Sequence, residues 1–212
     1  RVTSYLSASN AGDVRSDETG IAFIDTTGSM FWLKAIDVLS DSTTGAIVAF
    51  GDSITDGSCV PADGYDRWQD WLSIRLNLDS SKRTSATPYT AMVNEGIGGN
   101  TVTFDGLVPA PVSTPGVRRL ERDVFSHVGV THVILFMGTN DLRREATARQ
   151  VIAGMEEIIA RVKEQGLRII GVTIIPRHNR APVGDNTGWN RAKTRARNVV
   201  NDWIRSEAGF DA

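Results

Sequence analysis

The stretch Ala46-Ile47-Val48-Ala49-Phe50-Gly51-Asp52-Ser53-Ile54-Thr55-Asp56-Gly57 decides how the chain is read. Its first half is a short, unbroken apolar run, the signature of a strand buried on both faces of a parallel sheet. It stops at a glycine, followed by residues that suit a tight turn and a helix cap. Working outward, similar runs at residues 91–94, 132–137 and 168–175 alternate with amphipathic stretches, the rhythm of parallel strands joined by crossover helices. Tyr65, Trp68, Trp71, Leu72 and Leu76 fall at helical spacing, as do Val151, Met155, Ile158, Ile159 and Val162. Both sets read as core-facing stripes. Residues 189–206 carry Val199, Val200, Trp203 and Ile204 and precede Gly209, so a last helix is expected there. The expected fold class is α/β.

The first 45 residues differ. They are rich in Thr, Ser and β-branched or aromatic residues, with alternation over Val2-Thr3-Ser4-Tyr5-Leu6 and a turn signal at Thr26-Thr27-Gly28-Ser29. Residues 1–45 are expected to be a β-rich segment, either the end of an accessory β domain or an extension of the core. Residues 46–212 are expected to be the α/β domain, with Asp41-Ser42-Thr43-Thr44-Gly45 as linker. The chain begins at Arg1, not Met, and its natural start is expected upstream.

With 23 Lys and Arg against 25 Asp and Glu, the net charge of −2 supplies no general field for nucleic acid or anionic lipid. The lone Cys59 cannot form an internal disulfide, and no Cys/His cluster has metal-ligand spacing. No apolar run approaches the roughly 20 residues a membrane span needs.

In parallel sheets, ligands bind beyond the carboxyl ends of the strands, so residues just after each strand carry the chemistry. After the first core strand, Gly51 lets the chain turn sharply enough to aim Ser53 and its N–H at the crevice. The bland alternative is a helix-capping Asp52 or Ser53 without reactivity. After the second, Gly96-Ile97-Gly98-Gly99-Asn100-Thr101 permits close backbone approach to a ligand, and its N–H groups suit an oxyanion. It lacks the Gly-x-Gly-x-x-Gly and Gly-Lys-Ser/Thr patterns of phosphate-binding loops. After the third, Gly138-Thr139-Asn140-Asp141 offers an uncharged amide donor in Asn140, or only a turn before Leu142. The Gly-x-Ser-x-Gly elbow of ordinary α/β-hydrolases is not met, because Thr55 occupies the second glycine position.

Together the three segments resemble, in order and spacing, the conserved blocks of the SGNH/GDSL hydrolases: residues 48–57 the nucleophile block, residues 96–101 the glycine block and residues 138–141 the asparagine block. The resemblance covers about residues 46–175. It implies a flavodoxin-like three-layer αβα sandwich with a parallel sheet, and a carboxylic ester hydrolase working through an acyl-serine intermediate. In that reading Ser53 attacks, while the N–H groups of Ser53 and Gly99 and the Asn140 amide form the oxyanion hole. No metal or organic cofactor is needed. A short-chain acyl, acetylated-sugar or lysophospholipid ester is the implied substrate, and secretion or periplasmic export the implied location.

One block departs from the family pattern. An Asp-x-x-His pair should follow the fifth strand and supply the base, yet the histidines are His127, His132 and His178, none in that motif. The expectation is a chain truncated before that block, its catalytic His and Asp lying beyond Ala212. A displaced base at His178, a tail from another chain, or a catalytically silent carbohydrate-binding protein on the same fold are the alternatives. Of the other two, His132 opens a strand at the far end and His127 reads as loop. Arg177, Arg180, Arg191, Lys193, Arg195, Arg197 and Arg205 read as a solvated face rather than an acidic-substrate site. Trp189 is expected in the core, and Pro182 near the mouth of the crevice.

Overall fold

The computed structural model describes residues 2–29, 34–39, 45–58, 60–78, 89–103, 107, 110–111, 113–177 and 189–212. Four parallel strands form its centre: β3 (Gly45–Gly51), β4 (Thr90–Gly96), β5 (Val130–Phe136) and β6 (Arg168–Gly171), in spatial order β4-β3-β5-β6. Register pairs Gly51 with Gly96 on one side and with Phe136 on the other, so three neighbouring strands end level. Two further strands, β1 (Ser4–Ser7) and β2 (Phe23–Thr27), form a separate antiparallel pair.

Strand alternation sends Val48 and Phe50 to one face with Val133 and Leu135, their partners in register. The helices α3 (Gly116–Leu120), widened through a π turn at Glu121–Phe125, and α5 (Ala148–Glu164) cover it. All of Val151, Met155, Ile158, Ile159 and Val162 are buried, as their spacing predicts. Thr147 and Gln150 close a capping box at the start of α5, satisfying backbone donors a bare helix end would leave unpaired. Helix α6 (Arg191–Ser206) is capped by Asn190 and buries Val200, Trp203 and Ile204. Beyond it Phe210 lies on Gly171, where an added Cβ would sit 2.5 Å from the ring. Asp211 N–H donates to Ile169 O at 2.8 Å and Gly171 N–H to Ala212 O at 3.0 Å, so the last residues follow the outer edge of β6.

The other face carries α2 (Trp68–Leu78), and here the structure corrects the sequence reading. The stripe was expected to face the core, but Trp71 is 55% exposed, Leu76 and Tyr65 are exposed, and Tyr65 precedes the helix. Gln69 is instead the buried residue, its Nε2 donating to Thr55 O at 2.6 Å. With about 100° of rotation per residue, docking through Gln69 points Trp71 and Leu78 roughly the opposite way. The fourth core strand is also shorter than residues 168–175, because β6 ends at Gly171. The linker residues 41–44 and Cys59 lie outside the described residues. Among the described residues no helix is long and apolar enough to cross a membrane.

Candidate active site

Strand β3 must end in glycine. A Cβ at Gly51 would lie 2.1 Å from Thr55 Oγ1 and 2.8 Å from Phe136 O, so any side chain would push the turn off the sheet. Asp52 then caps the short helix α1 (Ser53–Asp56), its Oδ1 accepting from Ile54 N–H at 2.9 Å. The capping role considered for Asp52 is therefore real, and it leaves Ser53 as the first helical residue, half-buried at the mouth of the sheet. Gly57, at φ 93°, closes the helix by donating to Ser53 O.

The glycine block reaches the same place. Ile97 N–H donates to Gly51 O at 3.2 Å, and a Cβ at Gly96 would meet Asp56 N at 2.1 Å, so this backbone lies directly against α1. Gly99 has φ +73° with open space where a side chain would be. Its neighbour Asn100 is fully buried, and Asn100 O accepts from Asn140 Nδ2 at 2.9 Å. Asn140 lies in the first turn of α4 (Thr139–Arg143) just beyond β5, and Asp141 beside it accepts Val102 N–H at 2.9 Å and Thr103 N–H at 3.0 Å. Ser53, Gly99 and Asn140 thus stand on three loops that leave adjacent strand ends and are bonded to one another.

Two buried acids in this region have raised pKa values. Burial pushes Asp52 up to about 7 against the Ile54 N–H bond, and its Oδ2 has no partner. Burial likewise pushes Asp141 up to about 6, opposed by the N–H groups of Thr103 and Val102. The sequence reading did not single out Asp141, although its place after Asn140 was a usable signal. It also missed Arg119, whose side chain is 0% exposed beneath the strand ends.

The histidines divide. His127 follows the α3 helix in a loop, as expected, but its ring is buried with Nε2 2.7 Å from Glu95 Oε1. His132 lies near the start of β5, bonded to Thr131 Oγ1, away from the carboxyl end that bears Asn140. His178, Arg180 and Pro182 lie outside the described residues. Lys193 corrects the solvated-face reading: it is buried, donating to Arg143 O at 2.9 Å and pairing with Glu145 at 2.6 Å. Arg191, Arg195 and Arg205 are exposed as expected. Trp189 is buried, with the Arg177 guanidinium 5.6 Å from its ring centre.

Comparison with known proteins gives the family and the fold. The profile of the GDSL-like Lipase/Acylhydrolase family matches residues 49–211. Among solved structures, AlinE4, an SGNH-hydrolase family esterase, superposes with a TM-score of 0.54 at 18% identity, over 80% of this chain and 74% of that one. Est24, a carbohydrate acetylesterase from Sinorhizobium meliloti, gives 0.57 at 20% identity over 76% and 79%. A putative lipolytic protein of the G-D-S-L family from Desulfitobacterium hafniense DCB-2 gives 0.53 at 17% over 76% and 70%. No curated protein sequence matches.

Proposed function

The chain belongs to the GDSL-like lipase/acylhydrolase family, and from that premise we propose that it is a serine esterase whose nucleophile is Ser53. The observation that carries the reading is the mutual bonding of three loops: Ile97 N–H to Gly51 O, and Asn140 Nδ2 to Asn100 O. Ser53 Oγ attacks the ester carbonyl, and negative charge develops on its oxygen. The N–H groups of Ser53 and Gly99 and the Asn140 amide donate to that charge. A carboxamide has two N–H donors; Asn140 uses one to hold its orientation on Asn100 O and directs the other to substrate. Collapse of the tetrahedral adduct breaks the ester C–O bond and releases the alcohol, which takes up the proton lost by Ser53, and water then hydrolyses the acyl-serine to give the acid and restore the Ser53 hydroxyl.

Loss of the Ser53 proton requires a base. Neither described histidine serves: His127 is committed to Glu95, and His132 lies toward the amino end of β5. The base is assigned to an imidazole outside the described residues.

A cleft of about 770 Å³ adjoins the site, sharing Asp56 with the nucleophile helix and Gly98 with the glycine block. Its walls also include Arg67, Glu95, Lys34 and Ser29, a polar set suited to the alcohol of a hydroxylated ester such as an acetylated sugar rather than a long acyl chain. The carbohydrate acetylesterase among the structural neighbours favours the same class. A serine-reactive fluorophosphonate followed by peptide mass spectrometry tests the nucleophile. Modification at Ser53 is expected, and intact Ser53 after prolonged exposure would favour a silent binding protein.

A further inference from the structure

Arg119 is a charged side chain with no contact to water, an expensive placement unless every donor is used. Its donors are distributed in an unusual way. Nη2 donates to Gly51 O at 2.8 Å, at the end of β3 and two residues before Ser53. Nη1 donates to Glu95 O at 2.9 Å, where β4 passes into the glycine block, and to Asp123 Oδ2 at 2.8 Å. Nε donates to Asn100 Oδ1 at 3.1 Å, on the residue whose main-chain carbonyl holds the Asn140 amide. The guanidinium lies over the Phe50 ring, 3.9 Å from its centre, a cation–π contact.

The helix is itself tied to the loop it supports. Gly116 N–H donates to Thr101 O at 2.7 Å and Val117 N–H to Val102 O at 3.1 Å. A Cβ at Gly116 would lie 3.1 Å from Met137 Sδ and 3.4 Å from Phe50, so α3 sits close against the sheet, and Arg119 can reach up to the strand ends. Asp123 supplies the countercharge four residues along the same helix, and Arg122 donates to both of its oxygens.

We propose that Arg119 is a positioning residue that uses one buried guanidinium to hold the nucleophile turn, the glycine block and the Asn140 carboxamide at fixed mutual distances. It touches no reacting atom. It acts through Gly51 O on the start of α1, through Glu95 O on the glycine backbone, and through Asn100 on Asn140. Lysine cannot substitute, because a single ammonium cannot span three acceptors that a planar five-donor fork reaches together. The inference rests on the reading of Ser53, Gly99 and Asn140 given above.

The test compares Arg119→Lys, Asn100→Ala and Asp123→Asn with wild type, using p-nitrophenyl acetate turnover, the rate of Ser53 modification by the fluorophosphonate, and thermal unfolding. Arg119→Lys keeps a charge for Asp123 and loses the fork. Its kcat and its modification rate should both fall on the order of 10- to 100-fold with little change in KM, the scale of a small misplacement of reacting groups. Asn100→Ala cuts only the link toward Asn140 and should show a smaller fall of the same kind. Asp123→Asn keeps the strand-end bonds and removes the countercharge, so it should lower Tm while kcat stays near wild type. Wild-type kcat and modification rate in folded Arg119→Lys would overturn the inference, as would losses in all three variants that merely follow Tm. If Arg119→Lys does not fold, unchanged kcat in Asn100→Ala overturns it instead. An unmodified Ser53 in wild type would overturn the esterase reading itself, a result separable from any of these.

Discussion

The sheet core and the N-terminal strand pair handle polar groups in opposite ways. Around the strand ends, Asp52, Asn100, Arg119, Asn140 and Asp141 are all buried, and nearly every bond they make goes to main chain or to one another. The β1–β2 pair exposes Tyr5 and Ile24, and two strands alone do not make a stable sheet. Its described polar ties to the core are those of Thr3 to Asp63 and, from the segment that follows, Lys34 to Arg122 O and Ser126, all in exposed settings. The difference teaches where geometric precision resides. A buried donor without its acceptor costs its full desolvation, so the core arrangement is stiff, whereas an exposed donor exchanges its partner for water at little cost.

The sharpest break of that contrast is Asp141→Ala. It strands the N–H groups of Val102 and Thr103 in the interior, at about 1–3 kcal/mol each. Urea unfolding should register a loss of several kcal/mol, and esterase activity should fall with it. Asp141→Asn, which keeps one acceptor oxygen, should lose less.

Asn140→Ala is the next largest. Removing one oxyanion donor should lower kcat on the order of 10²-fold, about 2.7 kcal/mol, while the fold persists. Steady-state kinetics with KM measured alongside would reveal the loss, and unchanged turnover would remove Asn140 from the oxyanion hole.

Asp52→Asn sharpens the comparison through pH. Because burial raises Asp52 in the folded protein from its ordinary 3.8 to about 7, the folded state holds a proton that the unfolded chain releases. That stabilisation is complete below the ordinary value and is lost as pH rises toward 7. Asparagine keeps the cap on Ile54 N–H and cannot titrate. Across pH 4 to 7 the variant's Tm should therefore decline less steeply than wild type's, as scanning calorimetry can measure. Asp141 contributes with the same sign in both proteins, and its charge is one cause of the raised Asp52 pKa, so the two acids titrate as neighbours.

The smallest effect belongs to the other region. Thr3→Val deletes an exposed hydroxyl bond to Asp63 and keeps the backbone one. A change within about 0.5 kcal/mol is expected, with kcat unaltered. A large loss of either would show that the strand pair, not only the core, holds the site.

Much of the architecture was legible because it follows from local chemistry. Apolar runs marked the four core strands along the chain, the α5 stripe marked its buried face, and Gly51 and Gly96 marked points where a side chain does not fit. Residue types at strand ends pointed to Ser53, the 96–101 glycine cluster and Asn140, and the family resemblance added Gly99. What sequence could not supply was contact between positions far apart in the chain. The periodicity of α2 looked like that of α5, yet α5 lies on the sheet while α2 docks through Gln69 and leaves Trp71 in solvent. His127 pairs with Glu95, and Lys193 reaches Arg143 O, for reasons no local pattern contains.

Arg118 and Arg119 draw the line most clearly. As letters they are the same, and composition, charge and helix propensity treat them alike. The sequence by itself called for a crossover between the second and third core strands and for strand-end residues on either side that resemble those of the SGNH/GDSL hydrolases. Which arginine meets Gly51 and Glu95 and which faces solvent was decided only when α3 packed against the sheet: a turn of about 100° between neighbours puts one inside and one outside.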